Sequence, residues 1–299
     1  MALGIDSVRV GCWTDETAQT GVTVVLPPQG SLGAAAVRGG APGTREIAAL
    51  GVTGSGVECH GVVLCGNSVF GLAAADGVVR WCVEQGRGLQ LANGVIPVVG
   101  AAVVYDILAA DSERPTAAAG WAACEAAVVD EPPTGLVGVG RGCTVGKAAG
   151  RPFRVPGGQG SAVHREGELV VGAVMAVNAF GDIIGADGSV IAGSTAPLGA
   201  PRYPVVPIED IAAWGEGEER ANTTIGCIVT NARLTKAEAC RAADLAHTGI
   251  ARAVDPPHTQ VDGDALFLLA TQEVDTRVDL VAHLAACAVA DAVRSAVIR

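Results

Sequence analysis

Aromatic residues make up only 3% of this chain, too few for the stacking platforms on which single-stranded nucleic acids lie. Basic residues are scarce as well. Twenty Lys and Arg stand against 31 Asp and Glu, for a net charge of −11, and they are scattered rather than clustered. Nucleic-acid phosphates are repelled by such a surface, so nucleic acid is excluded as a partner. No apolar run reaches the roughly 18–20 residues that a membrane helix needs. The nearest, residues 169–181, is interrupted by Asn178 and two glycines, and no membrane association is expected. The first residues lack a basic segment leading into an apolar run, so no secretory signal is expected. CxxC, HExxH, GxSxG and GxGxxG patterns are absent, and the five histidines (His60, His164, His247, His258, His283) show no paired spacing. Zinc-hydrolase, serine-hydrolase elbow and dinucleotide readings therefore lack support. The nine cysteines, an odd count, sit mostly in apolar runs such as those around Cys65, Cys82, Cys227 and Cys287. That pattern fits reduced thiols in a cytoplasm better than disulfides or zinc. Neither a cofactor nor a metal is expected.

What the chain does have is apolar and small. Of its 299 residues 49% are hydrophobic and 41 are glycine, with a mean hydropathy of +0.40. Such material builds a large core in closely packed layers. Val22–Leu26, Val62–Cys65, Val95–Ile107, Leu169–Val177, Ile225–Val229 and Ala265–Ala270 read as strands. Asn67-Ser68 reads as the cap of a helix running to about Gln85, with Val69, Leu72, Ala73, Val79 and Val83 as its inward face. Residues 116–129 read as helical. Thr235-Lys236-Ala237-Glu238 is a capping box opening a helix to about Val254. Val278, Val281, Ala285, Val289 and Val293 form one stripe of a last helix ending near Val297. Ala179–Ile191 is hairpin-like, and residues 192–221 read as a long loop. Strands and helices interleave without a dividing linker, which predicts one α/β domain of layered sheets.

Four features carry chemistry. Asn222-Thr223-Thr224 runs directly into the β-branched segment Ile225-Gly226-Cys227-Ile228-Val229, behind the charged stretch 214–220. A hydroxyl residue there becomes a new N-terminus if the Asn222–Thr223 bond is cut, with its own α-amine as base. The plain alternatives are a polar strand edge or an idle glycosylation sequon. Asp262-Gly263-Asp264 places two carboxylates on one side of an extended chain, where they repel unless a cation or strong donors lie between them. A metal, an ammonium group or a solvated turn each answers that repulsion. Lys147 ends a glycine-rich stretch, residues 138–147, that fails as a phosphate loop because Arg141 stands where glycine is needed and Ala148 where a hydroxyl is needed. It is either exposed on a turn or delivered to a site. Asn178 closes an apolar strand and is either structural or a directed donor. Tyr105 also ends an apolar run, where a core tyrosine is the default.

Several runs occur together in order: Val37-Arg38-Gly39-Gly40-Ala41-Pro42-Gly43-Thr44-Arg45-Glu46, residues 71–81, Thr144–Lys147, Val177-Asn178, Asn222–Gly226 and Asp262–Asp264. Together they resemble the P1 peptidases, which include L-aminopeptidase/D-esterases, β-peptidyl aminopeptidases and nylon-oligomer hydrolases. The resemblance implies a four-layer αββα sandwich of the N-terminal-nucleophile type, cut by itself into residues 1–222 and 223–299. It places Thr223 as nucleophile, Lys147, Asn178, Asp262 and Asp264 around it, and Tyr105 near the oxyanion. Thr223 and Asp262 look more like the nylon-oligomer branch, whereas Cys12 stands where many members have His. The expected substrate is a small peptide or oligo-amide, and the expected assembly a homo-oligomer, tetramer or larger, of cleaved heterodimers. An acyltransferase of related architecture and a non-enzymatic binding protein are the rival classes.

Overall fold

In each long strand, alternate residues go to opposite faces, and two cores result. On β8 (Leu169–Asn178), Val171, Ala173, Met175 and Val177 join one core, while Val170, Val174 and Ala176 join another. The computed structural model, in which residues 1–55, 58–107, 112–213 and 222–297 are described, resolves this pattern into two stacked five-stranded sheets. The first has the order β1 (Arg9–Asp15), β2 (Thr20–Leu26), β5 (Gly61–Cys65), β6 (Val99–Val103), β4 (Thr44–Arg45). The second has the order β7 (Gly158–Glu166), β8, β9 (Thr223–Arg233), β10 (Ala265–Asp275), β3 (Leu32–Val37). Helices α1 (Ala74–Glu84) and α2 (Ala117–Glu125) cover the first sheet, and α3 (Lys236–Ala253) and α4 (Val278–Ser295) the second.

Between the sheets lie Val62 and Leu64 of β5, Ile225, Cys227 and Val229 of β9, and Phe267 and Leu269 of β10. Phe267 fills the space over Gly100, where an added Cβ would stand 2.6 Å from its ring. Truncating such a buried phenylalanine typically costs about 3–5 kcal/mol. The four layers expected for the chain are present. The two sheets also share a plan: each has one parallel pair, β5/β6 and β9/β10, with all other neighbours antiparallel. A helix makes each crossover, α1 in one sheet and α3 in the other.

The capping box forms as expected. The Thr235 N–H donates to Glu238 Oε2 at 2.8 Å, and the Glu238 N–H returns to Thr235 Oγ1 at 3.3 Å. In the α4 stripe, Val281, Ala285, Val289 and Val293 are buried, again as expected. The start of α1 differs. Asn67 makes no side-chain cap and has φ +68°, and Ser68–Ala73 winds as a 3₁₀ helix before the α-helix begins. Three residues per turn instead of 3.6 shifts the phase. The buried face becomes Ala74, Ala75, Val78, Trp81 and Cys82, with Val69 and Val83 outside. Gly77 and Gly120 explain the choice: a Cβ at either would meet a carbonyl of the partner helix within 2 Å. Close approach of α1 and α2, not bulk hydrophobicity, selects the face. The single strand expected over 95–107 breaks at Pro97, and β6 ends at Val103. The last helical turns expected to Val129 stop at Glu125. The hairpin appears as Asp182–Ile184 and Val190–Ala192. Of the loop expected over 192–221, residues 193–213 are described; they hold turns and, as regular structure, the short 3₁₀ helix Ile208–Asp210. The charged stretch 214–220 lies outside the described residues. All nine cysteines are free, although Cys287 is only half-buried.

Candidate active site

The starts of β9 and β10 lie side by side because these strands are parallel, with Ile225 opposite Ala265. Going backward from that register, Asn222 forms a parallel bridge with Asp262. The Gly263 N–H donates to the Asn222 carbonyl at 3.0 Å. On the other side β8 runs antiparallel to β9, which sets Asn178 opposite Thr223. Three strand ends thus enclose the Asn222–Thr223 peptide, with Asn222 2% and Thr223 4% exposed. The Thr223 hydroxyl donates to the carbonyl oxygen of Asn222. Both polar atoms of the Asn222 side chain are buried without a hydrogen-bond partner among the described residues.

Lys147 reaches this place from the turn after the short strand Thr144–Val145. Its Nζ donates to Asn178 O at 2.9 Å and to Asn178 Oδ1 at 3.0 Å. Burial pulls its pKa down to about 7, and the charge of Arg151 adds to the effect. Asn178 Oδ1 also accepts from the Thr144 N–H at 2.9 Å, and Asn178 Nδ2 donates to the Tyr105 carbonyl at 2.9 Å. The Asn178 amide is therefore a hub that ties Lys147 and Tyr105 to the start of β9.

Most of the donors around the two carboxylates are backbone N–H groups. Asp262 Oδ2 accepts from Thr259 N at 2.9 Å and Thr259 Oγ1 at 2.5 Å, and its Oδ1 from Phe180 N at 3.4 Å. Asp264 Oδ1 accepts from Thr224 N at 2.6 Å. Its Oδ2 accepts from His258 N at 3.2 Å and lies 2.7 Å from His258 Nδ1. Burial pushes the Asp262 carboxyl up, the charge of Asp264 pushes it further, and the Thr259 bonds and Lys147 oppose this. Among the described residues no group of three or more His, Cys, Asp or Glu side chains is gathered to hold a metal ion.

The glycines of two sequence runs have a packing reason here. A Cβ at Gly39 would stand 2.3 Å from Asp264 N and 2.4 Å from Asp262 O. Arg38 N, Gly39 N and Ala41 N donate to the Asp264 and Asp262 carbonyls at 2.8–3.1 Å. The Arg-Gly-Gly-Ala run is thus the backbone clamp on Asp-Gly-Asp. A Cβ at Gly263 would lie 2.8 Å from Thr223 Oγ1.

Of the residues singled out in the sequence, Thr223, Asn222, Lys147, Asn178, Asp262 and Asp264 all meet here. Tyr105 joins through its main-chain carbonyl, and its ring lies 5.4 Å from the Arg151 guanidinium. A cavity opens beside Lys147, lined by Tyr105, Asp106, Thr144, Arg151 and Arg154 among others. His258 and Thr259 also belong to the site, although the histidines show no metal-ligand or paired spacing in the sequence; their place within six residues of Asp264 is the signal that points to them.

Comparison with known proteins gives the chain a family and a fold. A protein of Mycobacterium tuberculosis named as an uncharacterized aminopeptidase is 43% identical over 263 residues, covering 85% of this chain and 74% of its own. The 6-aminohexanoate-oligomer endohydrolase of Paenarthrobacter ureafaciens is 34% identical over 276 residues, covering 90% of this chain and 74% of its own. The L-aminopeptidase D-Ala-esterase/amidase of Ochrobactrum anthropi, described as a variant of the Ntn-hydrolase fold, superposes with a TM-score of 0.73 over 98% of this chain and 84% of its own, at 19% identity. The fold is that of the N-terminal-nucleophile hydrolases. The model of peptidase family S58 matches residues 3–299, and the chain belongs to that family of peptide- and amide-bond hydrolases.

Proposed function

We propose that the chain is a self-processing amide hydrolase whose nucleophile is Thr223, released as an N-terminus by cleavage after Asn222. The observation that carries this reading is the enclosure of the buried Asn222–Thr223 peptide by Lys147, Asn178, Asp262 and Asp264. In the uncut chain the α-amine of Thr223 is locked in the peptide bond, so self-cleavage needs another base. Lys147, with its pKa lowered to about 7, is partly neutral near neutral pH and fits that role. The Thr223 hydroxyl attacks the Asn222 carbonyl carbon while Gly263 N–H supports the developing oxyanion. The resulting ester is hydrolysed to a carboxylate on Asn222 and a free amine on Thr223. The amide of Asn222, buried without a partner among the described residues, supports the direction of the reaction, since such groups typically cost about 1–3 kcal/mol and cleavage turns this residue into a chain end.

In turnover the freed α-amine takes the hydroxyl proton. Its reference pKa of roughly 7.7–8.0 leaves a useful neutral fraction. The acyl group of the substrate passes to Thr223 Oγ1 and then to water. Asp264 and Asp262 orient the amine, and Asn178 supplies the second donor to the oxyanion. Short peptides or oligo-amides enter from the cavity beside Lys147. The reading includes a homo-oligomer of cleaved heterodimers, supported by exposed Val69 and Phe70 just before α1 and exposed Val83 near its end. Thr223→Ala is the test. It abolishes self-cleavage and hydrolysis across a panel of aminoacyl, β-aminoacyl and ω-amino acid amides, and hydrolysis retained by the variant overturns the assignment.

A further inference from the structure

His258 is absent from the roles assigned above, yet it holds Asp264 from two directions. Its main-chain N–H, at 3.2 Å, and its ring Nδ1, at 2.7 Å, both face Asp264 Oδ2. It does so from φ +52°, a left-handed conformation that side-chain-bearing residues rarely adopt without a structural demand. Its other ring nitrogen, Nε2, faces the His247 carbonyl at 3.4 Å. A carbonyl oxygen only accepts. Asp264 already accepts backbone N–H groups at both oxygens, the arrangement of an acceptor. A ring with an acceptor at each nitrogen is satisfied only when both carry protons.

The surroundings favour the same state. The His258 side chain is 20% exposed against 2% for Asp264, so it stands at the rim of the site. His247 on α3 packs against it edge-on, with centroids 5.0 Å apart, and burial holds His247 down at about 4, neutral at working pH. Arg38 is held by Asp244, and Lys147 lies on the Asp262 side of the site.

We propose that His258 is a positioning residue. As an imidazolium it fixes Asp264, and through the Asp264–Thr224 bond it fixes the main chain next to the nucleophile. This rests on Thr223 as the nucleophile. A ring with one bare nitrogen would set an acceptor against an acceptor, so the support needs both ring protons.

The test compares wild type with His258→Gln, which keeps an N–H donor without the charge, and with His258→Ala. In His258→Ala, kcat falls by roughly 10–100-fold, the scale on which active groups respond to loss of an outer partner, while KM moves less. His258→Gln keeps more activity than His258→Ala. Ring-nitrogen chemical shifts in the uncut Thr223→Ala protein show both His258 nitrogens protonated at the optimum pH. Unchanged kcat in His258→Ala, a KM that rises as far as kcat falls, or a ring with one bare nitrogen overturns the proposal. Hydrolysis by Thr223→Ala overturns the nucleophile assignment instead and leaves the chemical-shift result standing.

Discussion

The two sheets are built to one plan, and they place their buried polar groups at opposite ends of it. In the second sheet, the groups cluster where the parallel pair β9/β10 begins: Thr223 opens one strand and Asp262 and Asp264 lead into the other. In the first sheet, they cluster where β5/β6 ends, at Asn67 and Asp106. The degree of satisfaction differs too. Asp262 and Asp264 have both oxygens hydrogen-bonded. Asp106 Oδ1 accepts from the Asn67 N–H at 2.6 Å and the Thr20 hydroxyl lies beside the carboxylate, but both polar atoms of the Asn67 side chain are buried without partners among the described residues. Saturating donors hold the first pair of carboxylates in one geometry, as preorganised chemistry requires. Among the described residues the Asp106 cluster is more sparsely bonded, and burial pushes its carboxyl up to about 6 against the opposing bonds from Asn67 and Thr20.

That contrast can be broken from the chemical end first. Lys147→Met removes the proposed base, and self-cleavage slows by roughly 10²–10⁴-fold, the usual range for general-base loss. In the wild type, the cleavage rate rises as pH passes through about 7, where Lys147 becomes neutral, and then levels off. A quenched time course on denaturing gels reads both. Gly263→Ala is next. Its Cβ would stand 2.8 Å from Thr223 Oγ1, and displacing a reacting group by about 1 Å can cost on the order of 10²-fold. Turnover falls while the melting temperature moves little, and equal activity would mean that Thr223 Oγ1 has room to move.

Asp106→Asn is the smallest effect and has the opposite sign. The folded pKa of Asp106 lies above its ordinary 3.8, so its contribution to stability is full below that value and is lost as pH rises through about 6. The variant keeps the oxygen that accepts from Asn67 and removes the charge. It is more stable than wild type at pH about 7.5, by at most on the order of 3 kcal/mol, and the gain vanishes at pH about 4. Melting curves at both pH values check this. A variant destabilised at both would show that the Asp106 charge has a partner.

Much of the layered fold was legible because buried strands advertise themselves as apolar runs and capping residues act locally. Thr235-Lys-Ala-Glu238 needed no tertiary information. The face of α1 was illegible because Gly77 and Gly120 act across helices, and the 3₁₀ start at Ser68 altered the phase. Strands such as Leu32–Val37 and Gly158–Glu166 were missed, being rich in Gly, Ala and polar residues. Their pairing depends on neighbours far along the chain. At the site, the residue types were readable but their convergence was not. Nothing local says that Asn178 lies opposite Thr223, or that Gly39 packs on Asp264. The resemblance to P1 peptidases supplied that convergence, and the strand register gives its physical basis. His258 stayed hidden because its role is to hold another side chain.

Intact mass spectrometry of the purified, active protein tests the central claim most directly. Wild type gives two fragments, residues 1–222 and 223–299, with Thr223 at the new N-terminus, and Thr223→Ala gives a single uncut chain. An active wild-type preparation that remains one chain of 299 residues would contradict it.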